Sequence, residues 1–186
     1  FILVGTVTPD YRVPSQATVV QNKLGLHNAA GMDLVAACAG FIYGLATADA
    51  FIKVGRYKKI LVIGVEKLSS ITDYTDRNTC VLFGDAAGAA VVEATTEDRG
   101  IMATYLKSDG RYTKLLWIPE GGAAKPFQNI ENGKGDIFLH MNGKEVFKHA
   151  VREMESASRI VLNQAGITSE QVRWMIPHQA NLRIIE

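Results

Sequence analysis

The chain has 186 residues, a formal charge of +1 and a 47% share of apolar residues, the make-up of one folded domain or a substantial piece of a larger one. The near-neutral balance excludes the strongly basic class that binds nucleic acid, and no apolar run approaches the ~18 uncharged residues of a membrane-spanning helix. Two cysteines, Cys38 and Cys80, make no disulfide framework in a chain this long; with no signal peptide in view, a reducing, cytoplasmic setting is expected.

In chain order, Phe1–Val7 reads as a strand and Thr8–Val13 as a turn-rich loop. Ser15 is placed to cap a helix over Gln16–Leu24. Gly31 precedes a short strand, Met32–Ala36, which delivers Cys38. A helix over Ala39–Val54 follows, apolar or small on nearly every side and therefore expected to be buried all round, with Gly55 at its end. Lys59–Val65 is a nearly continuous apolar strand of the kind covered on both faces. Ser69–Asn78 is polar and loop-like, and small residues flank a further strand at Ala87–Glu93. Thr95–Arg99 reads as a link between two halves, residues 1–94 and 95–186.

Ile101–Leu106 begins strand-like structure again, and Trp117–Asp136, rich in Gly, Pro and Asn, reads as a long surface excursion. Gly143–Ala165 is the clearest amphipathic helix, closed by Gly166. Thr168 or Ser169 then caps a short turn before a strand at Arg173–Ile176, which delivers Pro177 and His178. Strands alternating with helices give an α/β layered fold. Both ends, FILVGTV and NLRIIE, lack the polar composition of natural termini, so the chain reads as an internal fragment.

Cys38 falls where a strand turns into a helix. Unpaired backbone N–H groups and the positive end of the helix dipole favour a thiolate there, lowering a cysteine pKa from about 8.5 to roughly 3.5–7.5. The competing reading is a small core residue, since free cysteine is often buried. His178 also follows an apolar strand, and ligands of open α/β sheets gather at the carboxyl ends of strands. A cysteine with a histidine is a pairing for covalent catalysis; a lone histidine is otherwise a hydrogen-bonded structural residue.

Four segments in order, VAACAGF, DRNTCVLFGDAAGAAVV, MNGKEVFKHAV and PHQANLRI, resemble the β-ketoacyl-acyl-carrier-protein synthase III family over essentially the whole chain. PHQANLRI is the most specific of them; the LFGD run is shared with chalcone synthases. The resemblance implies a thiolase-like αβαβα fold of two similar halves, of which this chain holds the later part of the first and the earlier part of the second. It implies an acyltransferase that joins a short acyl-CoA, acetyl-CoA foremost, to malonyl-acyl carrier protein through acyl-Cys38, with His178 serving the condensation. The family's third catalytic group, an asparagine in a GNTS-type motif, is not in this sequence, and Asn181 does not replace it; the fragment alone is expected to be inactive.

By the same resemblance Arg77, Gly143, Phe147, Ala180 and Asn181 bind coenzyme A, Leu68, Leu82 and Phe83 wall the acyl pocket, and Lys148 and Arg183 meet the carrier protein. Asn78 stands where many relatives have glycine, and Lys144 where some have asparagine. Each assignment has a plainer competitor: a solvated loop charge for Arg77, helix core for Phe147, core packing for the three pocket residues, solvated surface charge for Lys148 and Arg183. The family implies a homodimer, no resident cofactor and no metal, with no nucleic-acid or membrane partner. Two alternatives stay open: a related condensing enzyme or acyltransferase of secondary metabolism, and a non-catalytic coenzyme A-binding domain.

Overall fold

The structure, a computed structural model, describes residues 1–127 and 135–185. It divides into two compact units, Phe1–Lys67 with Gly84–Thr104, and Leu68–Phe83 with Tyr105–Glu186.

The first unit is built on a four-stranded mixed sheet in the order β2-β1-β3-β4. The strands are β1 (Ile2–Gly5), β2 (Gly31–Leu34), β3 (Lys59–Lys67) and β4 (Asp85–Glu93). β1 runs parallel to β2 and β3, while β4 returns antiparallel to β3, Lys59 facing Glu93. Successive strand residues point to opposite faces, and both faces are apolar. Leu3, Ile60 and Val62 pack with Ala48, Phe41 and Leu45 of helix α2 (Gly40–Lys53). Ile2 and Val4 pack with Ala17 and Val20 of helix α1 (Gln16–Lys23). Two covered faces explain why β1 and β3 read as continuous apolar runs.

Two devices fix the helices on this sheet. Asp33 on β2 accepts the backbone N–H groups of Gln16 (2.6 Å) and Ala17 (2.8 Å), tying the first turn of α1 to the strand. α2 lies against the sheet through small residues one turn apart, the buried Gly40, Gly44 and Ala48. A Cβ built on Gly5 would lie 2.6 Å from the carbonyl carbon of Gly40, and one on Gly44 would lie 2.7 Å from Val62 Cγ1. The Gly5–Gly40 approach is backbone on backbone, so no side chain can yield. Gly5→Ala in the complete protein is expected to cost about 1–3 kcal/mol of stability. Gly110→Ala, where a built Cβ meets nothing within 4 Å, is the control. Equal thermal midpoints for the two variants would contradict this packing.

α2 is buried on that side only, not all round as its composition suggests: Ile42 is 49% exposed. A helix of uniform apolarity can still have one face that this stretch of chain leaves uncovered.

The second unit carries a two-residue antiparallel pair, β5 (Leu116–Trp117) with β6 (His140–Met141), and the long helix α3 (Gly143–Ala165). Asn142 caps α3, its side chain accepting the Glu145 N–H, and Gly166 ends it in the left-handed region at φ 68°. Thr168 and Gln171 form a capping box around a 3₁₀ turn, and a short helix, α4 (Leu182–Ile185), follows. Leu139 N–H donates to Ile71 O (2.8 Å), which holds the 68–83 segment in this unit.

Ile101–Leu106 and Arg173–Ile176, both read as strands from sequence, form no strand among the described residues. Their apolar character is real, but a strand needs a ladder partner, and Trp174 and Ile176 remain 78% and 89% exposed. The excursion read at Trp117–Asp136 begins in β5; its residues 128–134 lie outside the described ones.

Candidate active site

In the first unit the chain leaves β2 at Leu34 and enters a 3₁₀ turn, Ala37–Ala39, that leads directly into α2. Cys38 sits in this turn and is exposed. Ala37, just before it, takes a positive φ of 46°, strained for a residue with a Cβ by roughly 1–2 kcal/mol. The small Ala39 and Gly40 that follow the apolar stretch Leu34–Ala37 were the sequence signal for a tight turn here. No side chain caps the start of α2; the Ala39 and Gly40 N–H groups there donate to Ala36 O and Ala37 O within the 3₁₀ turn.

The thiol does not titrate low, as the helix start alone suggests. Packed surroundings desolvate Cys38 and push its pKa up, its own backbone N–H pulls it down, and the negative Glu66 pushes it up again. Glu66 was not singled out from sequence. It is the penultimate residue of β3, accepting the Val7 N–H (2.9 Å) and the hydroxyls of Thr8 (2.6 Å) and Thr6 (3.4 Å). The Lys67 N–H in turn donates to Thr8 Oγ1 (2.8 Å).

The second unit holds a cleft of about 840 Å³. The first turn of α3 supplies Gly143, Lys144, Val146 and Phe147 to its lining; β6 supplies His140 and Met141, and the entry to α4 supplies Ala180, Asn181, Arg183 and Ile184. Asp76, Asn78 and Leu82 close it from the 68–83 segment. Gly143, Phe147, Ala180, Asn181, Leu82 and Arg183 are thus brought together from segments far apart in sequence. A Cβ on Gly143 would meet Met141 Cε only at 3.4 Å, so this glycine keeps the cleft open rather than relieving a clash.

Asn181 Oδ1 accepts the Arg183 N–H (3.0 Å), so its side-chain oxygen starts α4 while its residue lines the cleft. Asp76 accepts the Asn78 N–H (3.0 Å) and the Thr79 hydroxyl (3.0 Å) in a tight turn. These bonds, the Asn78 N–H foremost, hold its carboxyl below the usual range, with His140 adding charge attraction. Arg77 is displayed at the tip of that turn between two cleft residues but does not itself line the cleft. Leu68 and Phe83 are half-buried at the two ends of the same segment, also outside the lining.

Lys148 is exposed on α3, 3.9 Å from Glu145. His178 is exposed and follows the half-buried Pro177, two residues before Ala180. Sequence reasoning missed Lys114, His140, Met141 and Asp76 as cleft residues. A two-residue strand and a polar turn carry no periodic signal that would have found them. The lining has a cationic bias, Lys114, Lys144 and Arg183 against the single carboxylate of Asp76. Such a rim suits an anionic ligand. No helix among the described residues is long and apolar enough to cross a membrane.

Residues 32–110 match the family model described as 3-oxoacyl-[acyl-carrier-protein (ACP)] synthase III. The whole chain is 55% identical to the β-ketoacyl-[acyl-carrier-protein] synthase III 1 of Halalkalibacterium halodurans, of which it covers 54%. Among solved structures, the 3-oxoacyl-[acyl-carrier-protein] synthase III of Aquifex aeolicus superposes with a TM-score of 0.87 at 45% identity, over 99% of this chain and 55% of that one. The priming β-ketosynthase of the R1128 polyketide biosynthetic pathway superposes at 0.85 with 35% identity, over 99% of this chain and 54% of that one. The fold is therefore the thiolase-like α/β fold of these enzymes, and the chain spans about half their length.

Proposed function

We infer, from a chain that belongs to the 3-oxoacyl-[acyl-carrier-protein] synthase III family, that the complete protein is the condensing acyltransferase that starts fatty-acid synthesis. The observation that carries this reading is Cys38, accessible in a strained turn at the uncapped start of α2. On this reading residues 1–94 are the later part of an N-terminal half and residues 95–186 the earlier part of a C-terminal half.

Cys38 Sγ attacks the thioester carbonyl of acetyl-CoA. An S–C bond to Cys38 forms, the thioester C–S bond breaks, and the cysteine proton ends on the released coenzyme thiol. The backbone N–H of Cys38, with another main-chain donor, suits the tetrahedral oxyanion. Malonyl-carrier protein then loses its carboxylate as carbon dioxide, leaving the electron pair on the α-carbon as an enolate. His178 and an asparagine from beyond this chain donate hydrogen bonds to the enolate oxygen. The carbanion attacks acyl-Cys38, the S–C bond breaks, and the thiolate takes up a proton as the 3-oxoacyl product leaves.

The cleft supports a pantetheine site: its apolar residues, Phe147, Val146 and Leu82, suit a flexible chain, and Lys114, Lys144 and Arg183 suit its phosphate. Arg77 is assigned to the adenine end, Leu68, Leu82 and Phe83 to the acyl group, and Lys148 with Arg183 to the acidic carrier protein. The reading extends to a cytoplasmic homodimer that uses coenzyme A thioesters as substrates and needs no resident cofactor.

The likeness to a polyketide priming β-ketosynthase supports a second reading, the same chemistry with a different primer. A panel of acyl-CoA primers against malonyl-carrier protein tests both. The first reading predicts a 3-oxobutanoyl-carrier protein from acetyl-CoA as the fastest product. A clear preference for a longer or branched primer supports the second, and no condensation with any primer would sink both.

A further inference from the structure

We propose that His140, held by Asp136, is a further binding residue of the second-unit cleft: its imidazolium donates to the phosphate-bearing end of a pantetheine ligand, so affinity for that ligand rises as pH falls. The proposal rests on the reading of the cleft as the pantetheine site.

The placement follows from the β5–β6 ribbon. Trp117 of β5 stands opposite His140 of β6. Lys114, in the 3₁₀ turn just before β5, has its ammonium 5.6 Å from the Trp117 ring centre. Lys114 and His140 both line the cleft, as do Lys144 and Arg183. Asp136 lies four residues before His140, and its Oδ1 contacts His140 Nε2. The Asp136 backbone is clamped in turn, its N–H donating to Glu120 Oε2 (2.9 Å) and its carbonyl accepting the Glu120 N–H (3.1 Å). Lys125 pairs with the same Glu120 carboxylate. The imidazole is thus gripped at one nitrogen by a carboxylate that is itself held, while the side chain stays 51% exposed.

A ring bound through Nε2 has Nδ1 left for a ligand. In the neutral ring, with Nε2–H donated to Asp136, Nδ1 presents a lone pair that repels an anionic oxygen; in the protonated ring it is a second donor. Protonation also cancels the Asp136 charge, which otherwise weakens the cationic rim. The other charged groups on the elements around His140 are Asp76 and Arg77 in the 68–83 segment, Lys114 and the Arg111–Asp109 pair at the 3₁₀ turn, Lys144, Glu145 and Lys148 on α3, Arg183 on α4, and the Glu120–Lys125 pair. Carboxylates, lysines and arginines ordinarily change charge outside the window in which histidine does. Of the remaining titratable groups nearby, Cys80 lies in the 76–80 turn, and Tyr112 and His149 stack on each other at 4.1 Å; none of the three lines the cleft.

The test is the affinity of the complete protein for dephospho-coenzyme A, read by calorimetry at about pH 8 and about pH 6. The diphosphate diester of this probe keeps its charge across that window. Wild type is expected to bind it about fivefold tighter at the lower pH, and pantetheine, which has no phosphate, to show no such gain. His140→Gln is expected to bind the probe alike at both. His140→Lys, a cation throughout, is expected to bind at the higher pH about as wild type does at the lower. Asp136→Asn removes the carboxylate that favours the imidazolium and is expected to move the wild-type response to lower pH. A wild type with no gain, a gain that His140→Gln keeps, or no binding of the probe at either pH overturns the proposal. Should His140→Gln not fold, His140→Lys decides in its place, and a gain retained there overturns it. The synthase reading is judged separately: acyl-Cys38 formed from acetyl-CoA upholds it even where the pH response is missing, and a protein that forms none fails it whatever the cleft binds.

Discussion

Cys38→Ala in the complete protein abolishes the acyl-enzyme and lowers condensation at least about a thousandfold. The covalent intermediate splits one difficult transfer into two easier ones, and no other residue of the turn can take its place: Ala37 and Ala39 flank it. The other thiol, Cys80, belongs to the 76–80 turn of the second unit. The loss should not be a folding defect. Cys38 is exposed, and trimming it to alanine removes no packed core atoms, so the melting temperature stays close to wild type. Coenzyme A binding should also persist, because the cleft that suits pantetheine is made of second-unit residues. Retained turnover in Cys38→Ala, or a protein that binds no coenzyme A, would each count against the assignment.

His178→Ala is expected to separate the two half-reactions. Its acylation by acetyl-CoA continues, while condensation with malonyl-carrier protein falls about 100- to 1,000-fold, the effect of removing one donor to a developing oxyanion. His178 is exposed beyond the end of an apolar segment, so the variant should fold. Single-turnover acylation, read by mass, and steady-state product formation, read by chromatography of the carrier protein, give the two rates. An acylation rate that falls as far as condensation would place His178 in the first half-reaction instead, as the group that activates the thiol.

Much of the fold was legible where its signals are local. Ser15 accepts the Thr18 N–H at the start of α1, and Asn142 and Gly166 bound α3 over the range that its apolar spacing gives. β1 and β3 are long enough and apolar enough on both faces to announce themselves. Ile101–Leu106 and Arg173–Ile176 fail for the opposite reason. Their apolar residues meet the compositional demand of a strand, but pairing is a long-range property that the segment itself does not encode.

The same distinction governs the site. Cys38 was visible as a strand-to-helix thiol, yet the direction of its titration was not. Desolvation around the turn reverses it, with the charge of Glu66 on β3 adding to the rise, and both depend on packing that the local sequence does not encode. The cleft behaves alike. Gly143, Phe147, Ala180 and Asn181 could be nominated by resemblance, but His140 and Met141 enter through a two-residue strand whose partner, β5, lies far from it in sequence.

The most direct test is peptide mapping of the complete protein after incubation with acetyl-CoA. A single acetyl group on the Cys38 peptide, none on the Cys80 peptide, and its discharge on adding malonyl-carrier protein with formation of a 3-oxoacyl product, is the predicted result. An acetyl group found elsewhere, persisting in Cys38→Ala, or absent altogether would contradict it.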